Sequence, residues 1–348
     1  MSLLEQIKQL AERKPTDVVA LDCAADGVRA ARLRQTPGGI RLVAAGLLPP
    51  VPGGVAADGI GRPQTEDDDI AELELPPSLR GRYATLLAPG GQASIKLLRL
   101  PEDVDLSDRA QLLKRLGLAA NEYRIGTLEI EAGSGKREAL VLGAGLRESV
   151  ARSLLGLLPK AGLPAPRALE TSELAVLNAF AVDPRFSDTE TPCGFIHFDH
   201  DFSLVALFNR GRLLQLRTFS FGLAAVNRRI MKALNVDQVT AAGVLNDGAF
   251  DISHLVEEET REVRGQYVIS RDFMERSENC RLQHVHLSGP TPLTKPFAKG
   301  KTTNVEMNAW SVLDLLDGGL EGEIPETLRA APWPLTAAIG AAWGLLTQ

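Results

Sequence analysis

Hydrophobic positions fall in short runs broken by turn-forming residues, and one arrangement of them occurs twice. In Cys193–Gly222, the run Phe195–Phe198 ends in Asp199-His200-Asp201 and a second run covers Ser203–Phe208. Asn209-Arg210-Gly211 then turns the chain into a third run, Arg212–Phe219, which closes at Gly222. Runs rich in Val, Ile, Leu and Phe between turn residues predict three antiparallel strands. Asn and Gly suit the turn because both tolerate positive φ. Asp17–Gly46 repeats the grammar: Val18–Leu21 end in Asp22, Val28–Leu33 follow, Thr36-Pro37-Gly38-Gly39 turn, and Ile40–Ala45 return to Gly46. The chain therefore carries two copies of a strand–acid–hairpin device, about half its length apart.

Between the copies the texture changes. Pro49–Asp69 is rich in Pro and Gly and then acidic, which predicts a solvated loop. Tyr83–Ala88 and Ser94–Leu100 read as strands and Leu106–Leu116 as a helix stopped at Gly117. Glu122–Glu131 with Glu138–Gly143 reads as a hairpin, and a helix from Leu146 to Ala161 follows. This ββαββα block has the form of a small inserted subdomain. Ser172–Phe180 predicts a helix and Asp183–Pro192 a linker into the second device. Beyond Gly222 come helices at Leu223–Leu234 and around Asp237–Leu245, then a charged helical face over Asp251–Arg264 continued by Val268–Asn279. His284–Leu287 is a short strand, Pro325–Pro334 an extended link, and Leu335–Leu346 a small-residue helix made for close packing. At the other end, Ser2–Arg13 places Leu3, Leu4, Ile7 and Leu10 on one face of an amphipathic helix.

The 348 residues suffice for two domains, and a hydrophobic content of 44% supplies real cores. A formal net charge of −6 gives no whole-chain attraction for nucleic acid. No apolar run is long enough to span a membrane, and the N-terminus lacks the basic-then-apolar form of a signal peptide. Three scattered cysteines, Cys23, Cys193 and Cys280, argue against a disulfide framework and for a reducing cytoplasm.

Candidate chemistry centres on the two acids. A carboxylate at the end of a buried strand faces the crevice and can hold hydrated magnesium, while small residues in the next turn let N–H groups approach phosphate. Other signals carry less. Gly133-Ser134-Gly135-Lys136 has Ile130 and Arg137 where a P-loop needs Gly and Ser or Thr, so it reads as a hairpin turn. His286-Leu287-Ser288-Gly289-Pro290 lacks both flanking glycines of a nucleophile elbow. His197, Asp199 and Asp201 alternate and would share one face of an extended strand, which with His284 or His286 could make a transition-metal site.

In this order the residues resemble the type IV pilus assembly proteins of the PilM family and their FtsA relatives. Ala20–Arg32 resembles the family's first hairpin, and Phe198–Gly222, with Arg217, its second. His286–Thr291 resembles its glycine-containing strand-turn, and Ala337–Leu345 its closing helix. Leu98–Pro101 and Ala161–Glu170 resemble the ends of its extra subdomain. The resemblance implies an α/β, actin-like (ribonuclease H-like) duplicated two-domain fold with an inserted subdomain. The division expected is an N-terminal helix over 1–16, a first domain over 17–81 and 167–192, and an insertion over 82–166. A second domain over 193–348 would hold a helical part at about 223–280, with the helix 335–346 packing back on the first domain.

By the same resemblance, nucleotide would lie among Asp22, Asp199, Asp201, Ser203, Gly222, Ser288 and Gly289, with Asp22 and Asp199 holding magnesium. Departures weaken that site. Cys23 and His200 stand where the family places Gly after each acid, and Pro290, which has no N–H, replaces the second Gly of the strand-turn. Ala241 or Ala242 falls where an acid near the nucleoside belongs. The expectation is a degenerate site in a chain without catalytic residues; no cofactor is expected, ATP with magnesium being the one the fold admits. The rival expectation is a working ATPase or small-molecule kinase, for which no general base stands out. The implied role is a cytoplasmic scaffold at the inner membrane that captures the N-terminal tail of a bitopic PilN-like partner. The groove would lie within Tyr83–Leu100 and Val141–Leu158, with self-association as a second contact and no nucleic acid.

Overall fold

The computed structural model describes residues 14–51, 73–101, 104–119, 122–133, 138–158, 163–187, 190–247, 251–299, 305–316, 319–322 and 324–347. The expected helix over Ser2–Arg13 and most of the loop 49–69 lie outside them. In chain order the strands are β1 (Asp17–Ala24), β2 (Gly27–Thr36), β3 (Gly39–Leu48), β4 (Tyr83–Ala88), β5 (Ala93–Leu100), β6 (Tyr123–Glu131), β7 (Ala139–Arg147), β8 (Ala165–Thr171), β9 (Cys193–Phe198), β10 (Ser203–Asn209), β11 (Arg212–Phe219), β12 (His284–Ser288) and β13 (Glu306–Ala309). The helices are α1 (Arg109–Leu116), α2 (Glu148–Gly156), α3 (Ser172–Ala181), α4 (Pro184–Ser187), α5 (Leu223–Leu234), α6 (Gln238–Asp247), α7 (Ser253–Glu259), α8 (Arg261–Ser277), α9 (Thr291–Lys299), α10 (Glu326–Ala330) and α11 (Thr336–Thr347).

The duplication is complete at the level of the sheet. One five-stranded sheet runs β3-β2-β1-β4-β8 and the other β11-β10-β9-β12-β13. In each, the three consecutive strands pair antiparallel and the last two join in parallel. Both predicted hairpins form within a few residues of their expected ends. The second turn takes positive φ at Arg210 and Gly211 rather than at Asn209, because a two-residue loop needs it at both central residues.

Alternation along the strands sorts side chains into three layers. Val18, Ala20, Ala31 and Leu33 face α3 and α11, and from the other side Phe195, Leu204 and Ala206 close the same core. The two helices are thus sandwiched between the sheets. α11 can lie this close because Gly340 meets the Ala175 carbonyl, where a Cβ would overlap it. Asn178 Nδ2 also donates to Gly340 O at 2.8 Å. The outer face of the second sheet (Ile196, Phe198, Val205, Leu207) packs on α5 to α9, and that of the first (Val19, Leu21, Ala30, Leu86) on α2.

Three expectations need correction. Tyr83–Ala88 does not open the insertion. As β4 it lies between β1 and β8, buried on both faces as a central parallel strand must be, so the small three-stranded sheet, β5-β7-β6, begins only at Ala93. The extended link at Pro325–Pro334 holds α10, which follows Pro325, and a short 3₁₀ turn, Trp333–Leu335, whose first turn contains Pro334, a position where the missing N–H costs no bond. The helix expected from Leu146 to Ala161 is shorter, since β7 continues to Arg147. The three-stranded sheet is tied to the second sheet by Arg212, which reaches Glu131 on β6 at 2.7 Å and Glu278 beyond α8 at 3.4 Å.

Candidate functional site

The duplicated topology brings the two acids face to face. Asp22, near the end of β1, is 1% exposed, and Asp199, just past β9, is 2% exposed. Between them lies a residue the sequence reading did not single out. Arg29 sits on β2 directly opposite Asp22 in the β1–β2 register, and its side chain is 2% exposed. Its Nη1 donates to Asp199 Oδ1 and lies 3.7 Å from Asp22 Oδ2; its Nη2 donates to Asp26 Oδ1 at 3.1 Å. The guanidinium carbon stands 5.4 Å from the centre of the Trp333 ring, in cation–π range. A divalent ion bridging Asp22 and Asp199 would have to take the place of this guanidinium.

Further groups complete a buried polar cluster. Ser172 Oγ is 2.5 Å from Asp22 Oδ1 and 2.8 Å from the Ala88 carbonyl. A hydroxyl has one hydrogen, and a carbonyl can only accept it, so a proton carried by Asp22 satisfies both contacts. Glu173 accepts the Gly91 N–H at 2.6 Å through Oε1. Asp22 Oδ2, Glu173 Oε2 and His197 Nδ1 have no hydrogen-bond partner among the described residues. His197 Nε2 lies 3.2 Å from Asp199 Oδ2, and the His200 N–H donates to Asp199 Oδ1 at 2.5 Å.

These surroundings push the carboxyls apart. Burial raises Asp22 above the usual carboxylate range although Arg29 opposes it. Burial acts on Asp199 in the same direction, but Arg29 and then His197 outweigh it and hold that carboxyl well below the usual range. Glu173 is pushed up to about 7, chiefly by burial, against the Gly91 N–H. A pair of acids with separated affinities around one cation keeps a single well-placed negative charge on Asp199.

The remaining predicted site residues serve the backbone. Ser203 Oγ donates to the Phe221 carbonyl at 2.6 Å rather than facing the cleft. Gly222 lies so close to the carbonyls of Asp199 and His200 that a Cβ would overlap them, and the Leu223 and Ala224 N–H groups at the start of α5 donate to those carbonyls at 2.9 Å. Ser288 ends β12 opposite His197. Gly289, at φ +133°, passes against Phe198 where no side chain fits. Asp201 does not share a strand face with His197 and Asp199: β9 stops at Phe198, and the turn sends Asp201 to the Ala25 N–H at 3.4 Å and to His200 Nδ1 at 3.0 Å. His284 pairs with Glu306 and His286 packs tilted against Phe186, so the transition-metal cluster does not assemble; no such group occurs among the described residues. Phe202, 2% exposed, fills the space against Gly90, where a Cβ would overlap its ring. Of the region expected to hold a partner groove, Tyr83–Ala88 is buried within the first sheet and Ala139–Arg147 is the middle strand of the small one.

No known family pattern and no curated relative matches the chain in sequence. Solved structures do match. A chain of the PilM–PilN type IV pilus biogenesis complex superposes with a TM-score of 0.68 at 14% identity, over 94% of this chain and 98% of that one. A Bacteroides thetaiotaomicron protein with an actin-like ATPase fold and unknown function gives 0.45 at 10% identity, over 87% and 96%. EutJ, an ethanolamine utilization protein of Carboxydothermus hydrogenoformans, gives 0.41 at 12% identity, over 95% and 90%. The fold is therefore actin-like, in the form seen in that PilM–PilN complex, and the resemblance carried by the two hairpins is borne out as a fold.

Proposed function

We propose that this protein is a non-catalytic, actin-like scaffold of a type IV pilus or type II secretion-like assembly platform. In this reading it sits at the inner face of the membrane by binding the N-terminal tail of a bitopic PilN-like protein, and it works without nucleotide. The observation that carries the reading is the filling of the cleft by the chain's own side chains, Arg29 between the acids and Phe202 against Gly90. The donor set around Asp22 and Asp199 already has its cation, and the N–H groups at the start of α5, which a phosphate would use, are bonded to Asp199 and His200 carbonyls. The residues present do not fit a magnesium-bound nucleotide. The fold shared with the PilM–PilN complex supports the choice of system. No helix among the described residues is long and apolar enough to cross a membrane, which suits attachment through a partner.

Two titrations test the reading. Calorimetry with ATP and magnesium should give no heat. Binding tighter than about 100 μM, roughly −5.5 kcal/mol, would return the ATPase or kinase reading to the front. A peptide copying the cytoplasmic tail of the PilN-like protein from the same genome should bind, through apolar anchors and main-chain hydrogen bonds. Failure of that peptide to bind would remove the assigned partner.

A further inference from the structure

We propose that Arg29 is a built-in substitute for a divalent cation: it locks the acids of the two sheets together, and its removal exposes a latent site for a small divalent ion. The inference rests on the proposed reading only in that no nucleotide is needed to close the cleft. One guanidinium ties four separate pieces of chain. It pairs with Asp22 on β1, with Asp26 in the following turn and with Asp199 beyond β9, and its face lies on Trp333 of the C-terminal segment. Asp22 and Asp199 hold equivalent places in two sheets of the same topology, so a cation between them joins the halves of the duplication.

The geometry also shows what the guanidinium leaves unused. Asp22 is 1% exposed, yet its Oδ2, the oxygen facing Arg29 at 3.7 Å, makes no hydrogen bond among the described residues. A planar fork reaching three carboxylates satisfies Asp199 and Asp26 and falls short of the third. A spherical ion has no such directional limit, and divalent ions such as magnesium commonly take one or two carboxylates and complete their shell with water. With Arg29 truncated, the two buried acids would face the volume it leaves with only His197, beside Asp199, to offset their charge. Such a pair either takes up protons, takes up a cation, or forces the halves apart.

The test compares the parent chain, Arg29→Ala and the double variant R29A/D199N by thermal melting and by the paramagnetic resonance of added Mn²⁺, used as the bare metal. The parent should show no saturable response to Mn²⁺. R29A should melt lower and recover on adding Mn²⁺, with an affinity at least about tenfold tighter than the parent, 1.4 kcal/mol or more. R29A/D199N, which has one fewer acid to neutralise, should melt above R29A without metal and lose the Mn²⁺ response. Parent-like melting of R29A, or no Mn²⁺ recovery in it, would overturn the proposal, as would a parent chain that binds Mn²⁺ equally well. If R29A does not accumulate as folded protein, the double variant should; its failure to do so overturns the lock. ATP titration of the parent reports on the scaffold reading alone, so the two can fail separately.

Discussion

Glu173 offers the sharpest check on the electrostatics of this cluster. It lies in the first turn of α3, 1% exposed, with Oε1 on the Gly91 N–H and Oε2 unpartnered among the described residues. Burial moves its carboxyl from 4.5 to about 7, so the folded protein binds this proton more tightly than the unfolded chain does. The sign follows from linkage: the stabilisation is fully present below about pH 4.5, falls as the pH rises, and is gone by about pH 7. At about 1.4 kcal/mol per pH unit the loss amounts to about 3 kcal/mol from this group, with Asp22 adding to it in the same direction. Glu173→Gln keeps the carbonyl that receives the Gly91 N–H and cannot ionise. Urea unfolding followed by tryptophan fluorescence, at constant ionic strength from about pH 5 to 8, should show the parent losing stability and E173Q losing about 2.5 kcal/mol less. An E173Q chain whose stability falls as steeply as the parent's would refute the assignment of that proton to Glu173.

Three further outcomes follow from the packing and charge of the same region. Gly90→Val drives a side chain into the buried Phe202 ring and should cost about 1–3 kcal/mol, part of which Phe202→Ala in the same chain restores; thermal melting of the four combinations gives the coupling. Gly340→Ala pushes into the Ala175 backbone and should destabilise markedly, whereas Gly344→Ala meets only the movable Asn178 amide and should cost less in the same melting assay. Asp199, whose carboxyl Arg29 and His197 hold below the usual range against its burial, supplies stability that is lost as the pH falls through that depressed value. Asp199→Asn should therefore lose stability at neutral pH and flatten the acid limb of the unfolding profile.

Much of the fold was legible because it is written in local pattern. The runs around Asp22 and Asp199, their turns and the helix Leu223–Leu234 declare themselves by period and punctuation, and the strands of the two devices are expected within three residues of their observed ends. The misreadings occur where local pattern carries no partner information. Tyr83–Ala88 is an apolar run that fits either sheet; only pairing with Val18–Asp22 places it in the first one. Glu306–Ala309 is four residues of mixed polarity and becomes a strand only beside β12.

The site was half legible for the same reason. The acids could be found, since an acid ending a buried apolar run is conspicuous in one dimension. Arg29 could not, because GVRAARLRQT carries three arginines and nothing in its local pattern names a buried partner for one of them. Arg32 and Arg34 pair with Asp17 and stay partly exposed. Arg29 differs through a contact made 170 residues away along the chain, with Asp199. A signal was nonetheless present: Arg29 sits in the hairpin of the first acid, where an antiparallel register can place it directly across from Asp22. Cys23 and His200 stand where the resemblance would place Gly after each acid, but Arg29, which lies between Asp22 and Asp199, bears more directly on the proposed nucleotide-free cleft.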